Sequence, residues 1–467
     1  MIETEDTSFR DQFGIVSKEG KRNWVYPKKV SGRFYNGRLF VSWFLLAILF
    51  VTPFLRYNGH PVMLFDITER KFIVFGLIFG PHDFIFFALA MISTFVFIFL
   101  FTVVFGRIFC GWVCPQTVFM EMVFRKIDYW IEGGPYQQKR LNESIWTGEK
   151  YLKKSFKHGL YFALSFLIAN MLLAWIIGTD KLMKIISDSP SKHVGGLMVI
   201  LIFTIVFHWI FGWFREQACI LVCPYGRLQG VLLDRSSIVI AYDFIRGEPR
   251  GRIKKGDERI IGDCIDCHQC VDVCPTGIDI RNGTQLECIN CTACIDACDS
   301  IMESVQKPKG LIRYDSIDGI EKKVRSIFTP RSIGYLTVLF ILVTVLTYFI
   351  STRSDIDVTI LRTSGMFYQD QPDGYISNLY DLKAINKTFE PMSLLFKLKN
   401  SSGKISVLGD SVIVKGQETF TAKLFIMLKR GEIKSMNSPL QIEVWRSDRV
   451  AQVVESSFLG PVKKEIQ

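Results

Sequence analysis

Cys264-Ile-Asp-Cys267-His-Gln-Cys270-Val-Asp-Val-Cys274-Pro275 recurs as Cys288-Ile-Asn-Cys291-Thr-Ala-Cys294-Ile-Asp-Ala-Cys298. Both copies read C-x2-C-x2-C-x3-C. This spacing wraps an iron–sulfur cubane, with three thiolates from one loop and the fourth from the other copy. It predicts one [4Fe–4S] cluster on Cys264, Cys267, Cys270 and Cys298, and a second on Cys288, Cys291, Cys294 and Cys274. Zinc is the alternative. Zinc ribbons, however, use two distant C-x2-C pairs and have no use for eight thiols packed this way. The stretch predicts a bacterial-type ferredoxin domain that stores and passes single electrons.

Working outward, the chain reads as a multi-domain membrane protein. Apolar residues make up 49% of its 467 residues, and 39 are Phe. Uninterrupted apolar runs predict five α-helical spans, at about 39–55, 83–106, 160–178, 195–214 and 333–350. Pro53 is expected to kink the first, which a membrane helix tolerates. The apolar piece 72–79 is too short to span and is expected at the interface or dipping in. Net charge is +11. In a membrane protein that reflects inner loops and gives no reason to invoke nucleic acid. Lys and Arg concentrate in residues 1–37, 107–158 and 215–332. The positive-inside rule then places the N-terminal arm and the cluster segment in the cytoplasm and the tail outside. All twelve cysteines lie between Cys110 and Cys298, so the reducing side holds the thiols and the outer tail has none. No signal peptide is visible ahead of the first apolar run.

The expected organisation is an arm (1–37), a four-span membrane domain (38–235), a ferredoxin-like domain (236–320), a fifth span (333–350) and a periplasmic tail (355–467). The tail reads as an all-β sandwich of immunoglobulin type. Stretches 375–385, 392–398, 411–415, 419–428 and 440–445 alternate or are β-branched and aromatic, punctuated by Gly, Asn, Pro and Ser.

A second pair of motifs closes the two membrane hairpins: Cys110-x3-Cys114-Pro115 and Cys219-x3-Cys223-Pro224. On a helix, i and i+4 share a face, so each motif can present two sulfurs to one point. The proline then stops that helix or starts another. A free cysteine is often only a small buried hydrophobe. Two such pairs at matched positions beside electron-carrying clusters point instead to a metal or redox role. Four convergent thiolates suit a soft ion, Cu(I) first and zinc next. A dithiol–disulfide couple is the alternative. His208 falls inside the fourth span and is a secondary metal candidate, weighed against a histidine hydrogen-bonded across the bundle. His268, within the first cluster loop, is expected to tune its surroundings.

Cys-Gly-Trp-Val-Cys-Pro-Gln-Thr-Val (110–118), Arg-Glu-Gln-Ala-Cys-x3-Cys-Pro-Tyr (215–225), Tyr-Asp-x3-Gly-Glu-Pro-Arg-Gly (242–251), Cys-Pro-Thr-Gly-Ile-Asp-Ile-Arg-Asn-Gly (274–283) and Gly-Leu-Ile-Arg-Tyr (310–314) resemble the cytochrome c oxidase accessory proteins called CcoG, FixG or RdxA. The resemblance covers about residues 20–320, and more weakly the β tail. The second loop ends Cys298-Asp299 instead of Cys-Pro, which leaves ligation intact because proline is not a ligand.

The resemblance implies a role in assembling a cbb3-type haem–copper oxidase by reducing Cu(II) to Cu(I). Its implied partners are oxidase assembly factors and a copper chaperone or copper-exporting ATPase. Cys110, Cys114, Cys219 and Cys223 become the implied copper-interacting or relay thiols, fed by a cytoplasmic donor that the sequence does not identify. Two rivals stand beside this reading: a quinol-linked membrane ferredoxin serving a respiratory partner, and a non-catalytic oxidase-assembly scaffold.

Overall fold

The computed structural model describes residues 21–252, 262–323, 328–399, 401–408, 412–433 and 435–461. Most of the predicted arm (1–20) and Ser411 of one predicted strand lie outside them. Among the described residues five helices are long and apolar enough to cross a membrane: Arg33–Phe54, Phe84–Phe105, Gly148–Ile177, Val194–Phe214 and Pro330–Ser351. They keep large apolar side chains such as Phe40, Trp43, Phe95, Ile202 and Phe340 on the outside. A helix apolar all round is suited to lipid. Pro53 ends the first α-helix at Val51 and opens a single 3-10 turn, Thr52–Phe54.

The chain divides into two compact units. One comprises Met1–Arg56 and Ala88–Thr344, the other Tyr57–Phe87 and Val345–Gln467.

In the first unit, the 107–158 segment is more than a basic loop. Residues 115–131 form a helix with a π-helical middle, Val118–Phe124. Phe119, Met120 and Phe124 pack with Tyr161, Ile168 and Phe211 of the third and fourth spans. The Phe124 ring stacks on Phe211 at 4.9 Å and meets Tyr161 edge-on at 4.7 Å. The third helix starts at Gly148, well before the predicted apolar run. Its first turns carry charges that this neighbouring helix neutralises. Lys157 Nζ is 2.8 Å from Asp128 and 3.1 Å from Glu132, and Lys154 Nζ is 2.7 Å from Glu132. Asp128 also accepts from the Tyr161 hydroxyl at 2.7 Å and pairs with Arg215 at 2.7 Å. Burial would raise its pKa, but Arg215 and Lys157 hold it down at about 2. Gly178, at φ 85, ends the third helix where a side chain would be strained. The cluster segment sits between the antiparallel strands Val239–Tyr242 and Ile312–Asp315.

In the second unit the tail is a β-sandwich. One sheet runs Lys404–Val407, Thr419–Lys429, Tyr375–Asn386, Ile356–Arg362, with Gln369–Gln371 also paired to Tyr375–Asn386. The other runs Val412–Val414, Met392–Leu398, Asn437–Arg446, Arg449–Leu459. The inward positions of both, among them Tyr380, Leu424, Ile426, Ile442, Val444 and Phe458, are fully buried. The 72–79 piece, too short to span, folds into a three-stranded antiparallel sheet with Met63–Asp66. Its aromatic and β-branched residues pair across strands, which satisfies the backbone locally.

Candidate metal centres

The two cysteine loops have the same backbone. Asp266 and His268 in the first copy take φ 53 and 56, and Asn290 and Thr292 in the second take φ 53 and 66. Left-handed backbone at the same two steps turns each chain inward between its first three thiols. Asp and Asn tolerate that region better than most residues, and a β-branched Thr pays the most strain. A helix follows each loop, Gln269–Asp272 and Ala293–Ser304, and leads to the fourth cysteine.

Cys264, Cys267, Cys270 and Cys298 line one small cavity. Cys274, Cys288, Cys291 and Cys294 line a second, with Cys270 also on its wall. The first cavity thus receives three thiols from one loop and one from the other, and the second receives three from its own loop with Cys274 and Cys270 from the first; both contain a donor set that fits an iron–sulfur cubane. Burial pushes the thiols of Cys270, Cys298 and Cys288 up to about 12 and Cys291 up to about 11. Such thiols stay protonated until a cation displaces the proton.

Arg281 lines the first cavity and had no cue in the cysteine spacing. Its guanidinium holds Asp279 at 2.6 Å, Asp266 at 2.5 Å and His268 Nδ1 at 2.9 Å. His268 therefore acts on the loop through Arg281. Asp266, one of the left-handed residues, is anchored by the same cation.

The C-x3-C-P motifs also share one geometry, which differs from the i, i+4 helical face expected. In each the backbone closes with an i to i−5 bond: Cys114 N–H donates to Phe109 O, and Cys223 N–H to Ala218 O, both at 2.9 Å. Cys114 and Cys223 then become the N-cap residues of new helices, with Pro115 and Pro224 at the first helical position. Proline has no N–H to lose there.

The two motifs face each other. Cys110 Sγ lies 3.3 Å from Gln229 Oε1, and Phe109 meets Tyr225 edge-on. Burial, reinforced by the other thiols of the set, raises Cys110 and Cys219 to about 12. The four sulfurs are thus within electrostatic reach of one another. Among the described residues, no three His, Cys, Asp or Glu side chains are gathered closely around a single-ion position.

His208, the secondary candidate, pairs with His158: Nε2 lies 3.3 Å from His158 Nδ1. It belongs to the contact between the third and fourth spans, apart from the thiols.

The first C-x3-C-P motif packs directly on the second cysteine loop. A Cβ on Gly111 would come within 2.6 Å of the carbonyl oxygens of Ile289 and Asn290. Arg38, buried in the first span, donates to Gly111 O at 3.0 Å and to Cys291 O at 2.8 Å. The Phe34 and Tyr35 N–H groups at the start of that span donate to the Asp296 carboxylate at 3.1 and 2.7 Å. Trp112 Nε1 donates to the Tyr314 hydroxyl, which donates to Asn290 O. Arg107 reaches Leu286 O and Gly226 O, so it bridges the second loop and the second motif.

Comparison with known proteins finds iron–sulfur and immunoglobulin-like domains. A family described as 4Fe-4S dicluster domain matches residues 214–317, and one described as 4Fe-4S binding domain matches residues 87–133. The IG-like fold at the C-terminus of FixG matches residues 346–461. RdxB of Cereibacter sphaeroides is 32% identical over 453 residues, covering 92% of this chain and 94% of that protein. RdxA of the same organism is 32% identical over 428 residues, 88% of this chain and 90% of that one. The nitrogen fixation protein FixG of Rhizobium meliloti is 29% identical over 462 residues, 88% of this chain and 87% of that protein. A crystal structure of a FixG-related protein from Vibrio parahaemolyticus aligns at 20% identity and a TM-score of 0.21, covering 24% of this chain and 100% of that one.

Proposed function

The chain belongs to the FixG/RdxA family of iron–sulfur proteins, and from that premise we propose that it reduces Cu(II) to Cu(I) for the assembly of a cbb3-type oxidase. Cys264, Cys267, Cys270 and Cys298 hold one [4Fe–4S] cluster. Cys288, Cys291, Cys294 and Cys274 hold the other. Bound clusters of this kind supply one-electron storage. Cys110, Cys114, Cys219 and Cys223 receive the copper substrate. One electron converts Cu(II) to Cu(I), and thiolates hold the softer product better. The product passes to a copper chaperone or a copper-exporting ATPase. The charge pattern supports a cytoplasmic ferredoxin domain and a periplasmic tail.

The observation that carries this reading is the contact of Gly111 with Ile289 and Asn290. It sets Cys110 and Cys114 against the loop that bears Cys288 and Cys291, so an electron has a short path between the two centres. The test offers Cu(II) and a Cu(I)-specific chromophore to purified, chemically reduced protein. Changing all four C-x3-C-P cysteines to Ser is expected to abolish the fast phase of Cu(I) formation. An unchanged rate would place copper reduction elsewhere. Iron content decides a second point: more than about eight irons per chain, falling with Cys110→Ser, would reassign these thiols to iron.

A further inference from the structure

Two cavities in the first unit share Leu39, Met122 and Lys126 as lining residues, so they adjoin at these side chains and are treated together as one cleft. The membrane end, about 770 Å³ of empty space, lies between the first span, the 115–131 helix and the third span. Its wall is mostly apolar, with Leu46, Phe50, Phe119 and Leu164, and Ser42, Trp43 and Lys126 are its residues with polar side-chain atoms. The other end, about 1310 Å³, carries Tyr35, Arg38, Glu121, Lys126 and Tyr129, and it finishes on Cys291 and Pro275 of the cysteine loops.

We propose that this cleft binds a membrane quinol, which is the electron donor to the centres described above. The inference deepens the copper reading and rests on its cluster assignment. Three features select the occupant. The cleft is apolar where a span faces lipid, as an isoprenoid tail requires. It turns polar where a two-oxygen ring would sit, with the Lys126 ammonium between the two ends. No carboxylate pairs with Lys126 among the described residues, so that ammonium is available to a quinone oxygen. Finally, the polar end reaches a cluster-loop cysteine, which a purely structural lipid site would have no reason to do.

The chemistry balances. Oxidation of the quinol breaks two O–H bonds and releases two electrons and two protons. The electrons leave singly, one for each cluster. Glu121 lies at the polar end as the first proton acceptor. Its Oε1 is buried without a hydrogen-bond donor, although Arg125 lies 3.2 Å away as an ion partner.

The test uses the full chain in detergent, with decylubiquinone and menadione as probes of binding, read by quenching of the Trp43 and Trp130 fluorescence. The matching quinols are probes of cluster reduction, read by electron paramagnetic resonance. Leu164→Trp fills the apolar end and is expected to weaken binding at least tenfold while leaving the dithionite-reduced spectrum unchanged. Lys126→Gln carries the same expectation at about tenfold, should the bulkier variant fail to assemble. Equal binding by both variants overturns the proposal. So does retention of phosphatidylglycerol with no quinone binding by the unaltered protein. Dithionite-driven Cu(I) formation should survive in both variants, so failure of the copper reading and failure of the quinol site are separate results.

Discussion

At the scale of single residues, the contact between the membrane domain and the second cysteine loop is made by groups with no slack. Gly111 meets backbone oxygens of Ile289 and Asn290, so even a methyl group forces one of the two loops to move. Gly111→Ala is expected to displace the second loop and lower iron from about eight to about four per chain, measured by iron and sulfide analysis. Full iron content in that variant would show the contact to be dispensable. Arg38 acts through carbonyls and touches no thiol. Arg38→Met removes two charge-assisted hydrogen bonds in a buried setting, each worth about 1.5–3 kcal/mol. Iron extraction by a chelator is expected to accelerate at least tenfold, with the Lys variant in between because it supplies one donor point instead of two. Equal extraction rates across the three proteins would leave Arg38 a packing residue only.

At the scale of elements, the segment 57–83 and the β tail are tied by a buried charge. Asp83 pairs with Arg353 at 2.6 Å and Lys387 at 3.0 Å, and His60 stacks on Phe389 at 3.9 Å. Asp83→Asn removes the carboxylate partner of buried Arg353 and leaves Lys387 only Asp357 at 3.7 Å, a loss of about 3–5 kcal/mol for a buried pair. Limited proteolysis should then cut within 57–83 while the unaltered protein resists. Burial alone would raise the Asp83 pKa, but Lys387 and Arg353 lower it below the ordinary value. Its stabilisation is therefore complete above about pH 4 and is lost as pH falls through the lowered pKa. Resistance that disappears near neutrality would contradict the pairing. None of this was legible in the sequence, because Asp83 and Lys387 lie far apart in the chain. What was legible is local. Five apolar runs became five spanning helices, and alternation found the strands at 375–385 and 392–398 nearly to the residue. The helix 115–131 was missed because Arg125, Lys126 and Asp128 mask it as a surface loop. Asp128 is buried only because Lys157 and Arg215 arrive from two other helices. The same holds at the cysteines. Spacing named the thiols, while Arg281, Arg38 and Asp296, which fix the loops, announce themselves only in three dimensions. The Asx residue at the same step of both loops was a readable cue to left-handed backbone.

At the scale of the whole molecule, the division into two units separates the redox parts from the β tail. Every cysteine, together with Arg38, Gly111 and Arg281, belongs to the unit made of residues 1–56 and 88–344. The other unit holds the β-sandwich and the 57–87 segment, with no thiol. A scaffold and a reductase therefore make opposite demands on the tail. If clusters serve only to shape a docking protein, the sandwich is the working part and its loss removes function at every level. If the chain passes electrons to copper, the sandwich serves partners and the chemistry persists without it. A chain ending at Arg353 retains the Asp83–Arg353 pair but loses Lys387 and Phe389, so the 57–83 segment keeps one of its anchors. Because the redox unit has its own core, this truncated chain should bind its clusters. It should reduce Cu(II) in detergent within about twofold of the full rate, while failing to support oxidase assembly in cells that depend on it. Loss of in vitro copper reduction with clusters intact would show that the tail takes part in the chemistry. Undiminished oxidase assembly would show that it does not recruit the partners.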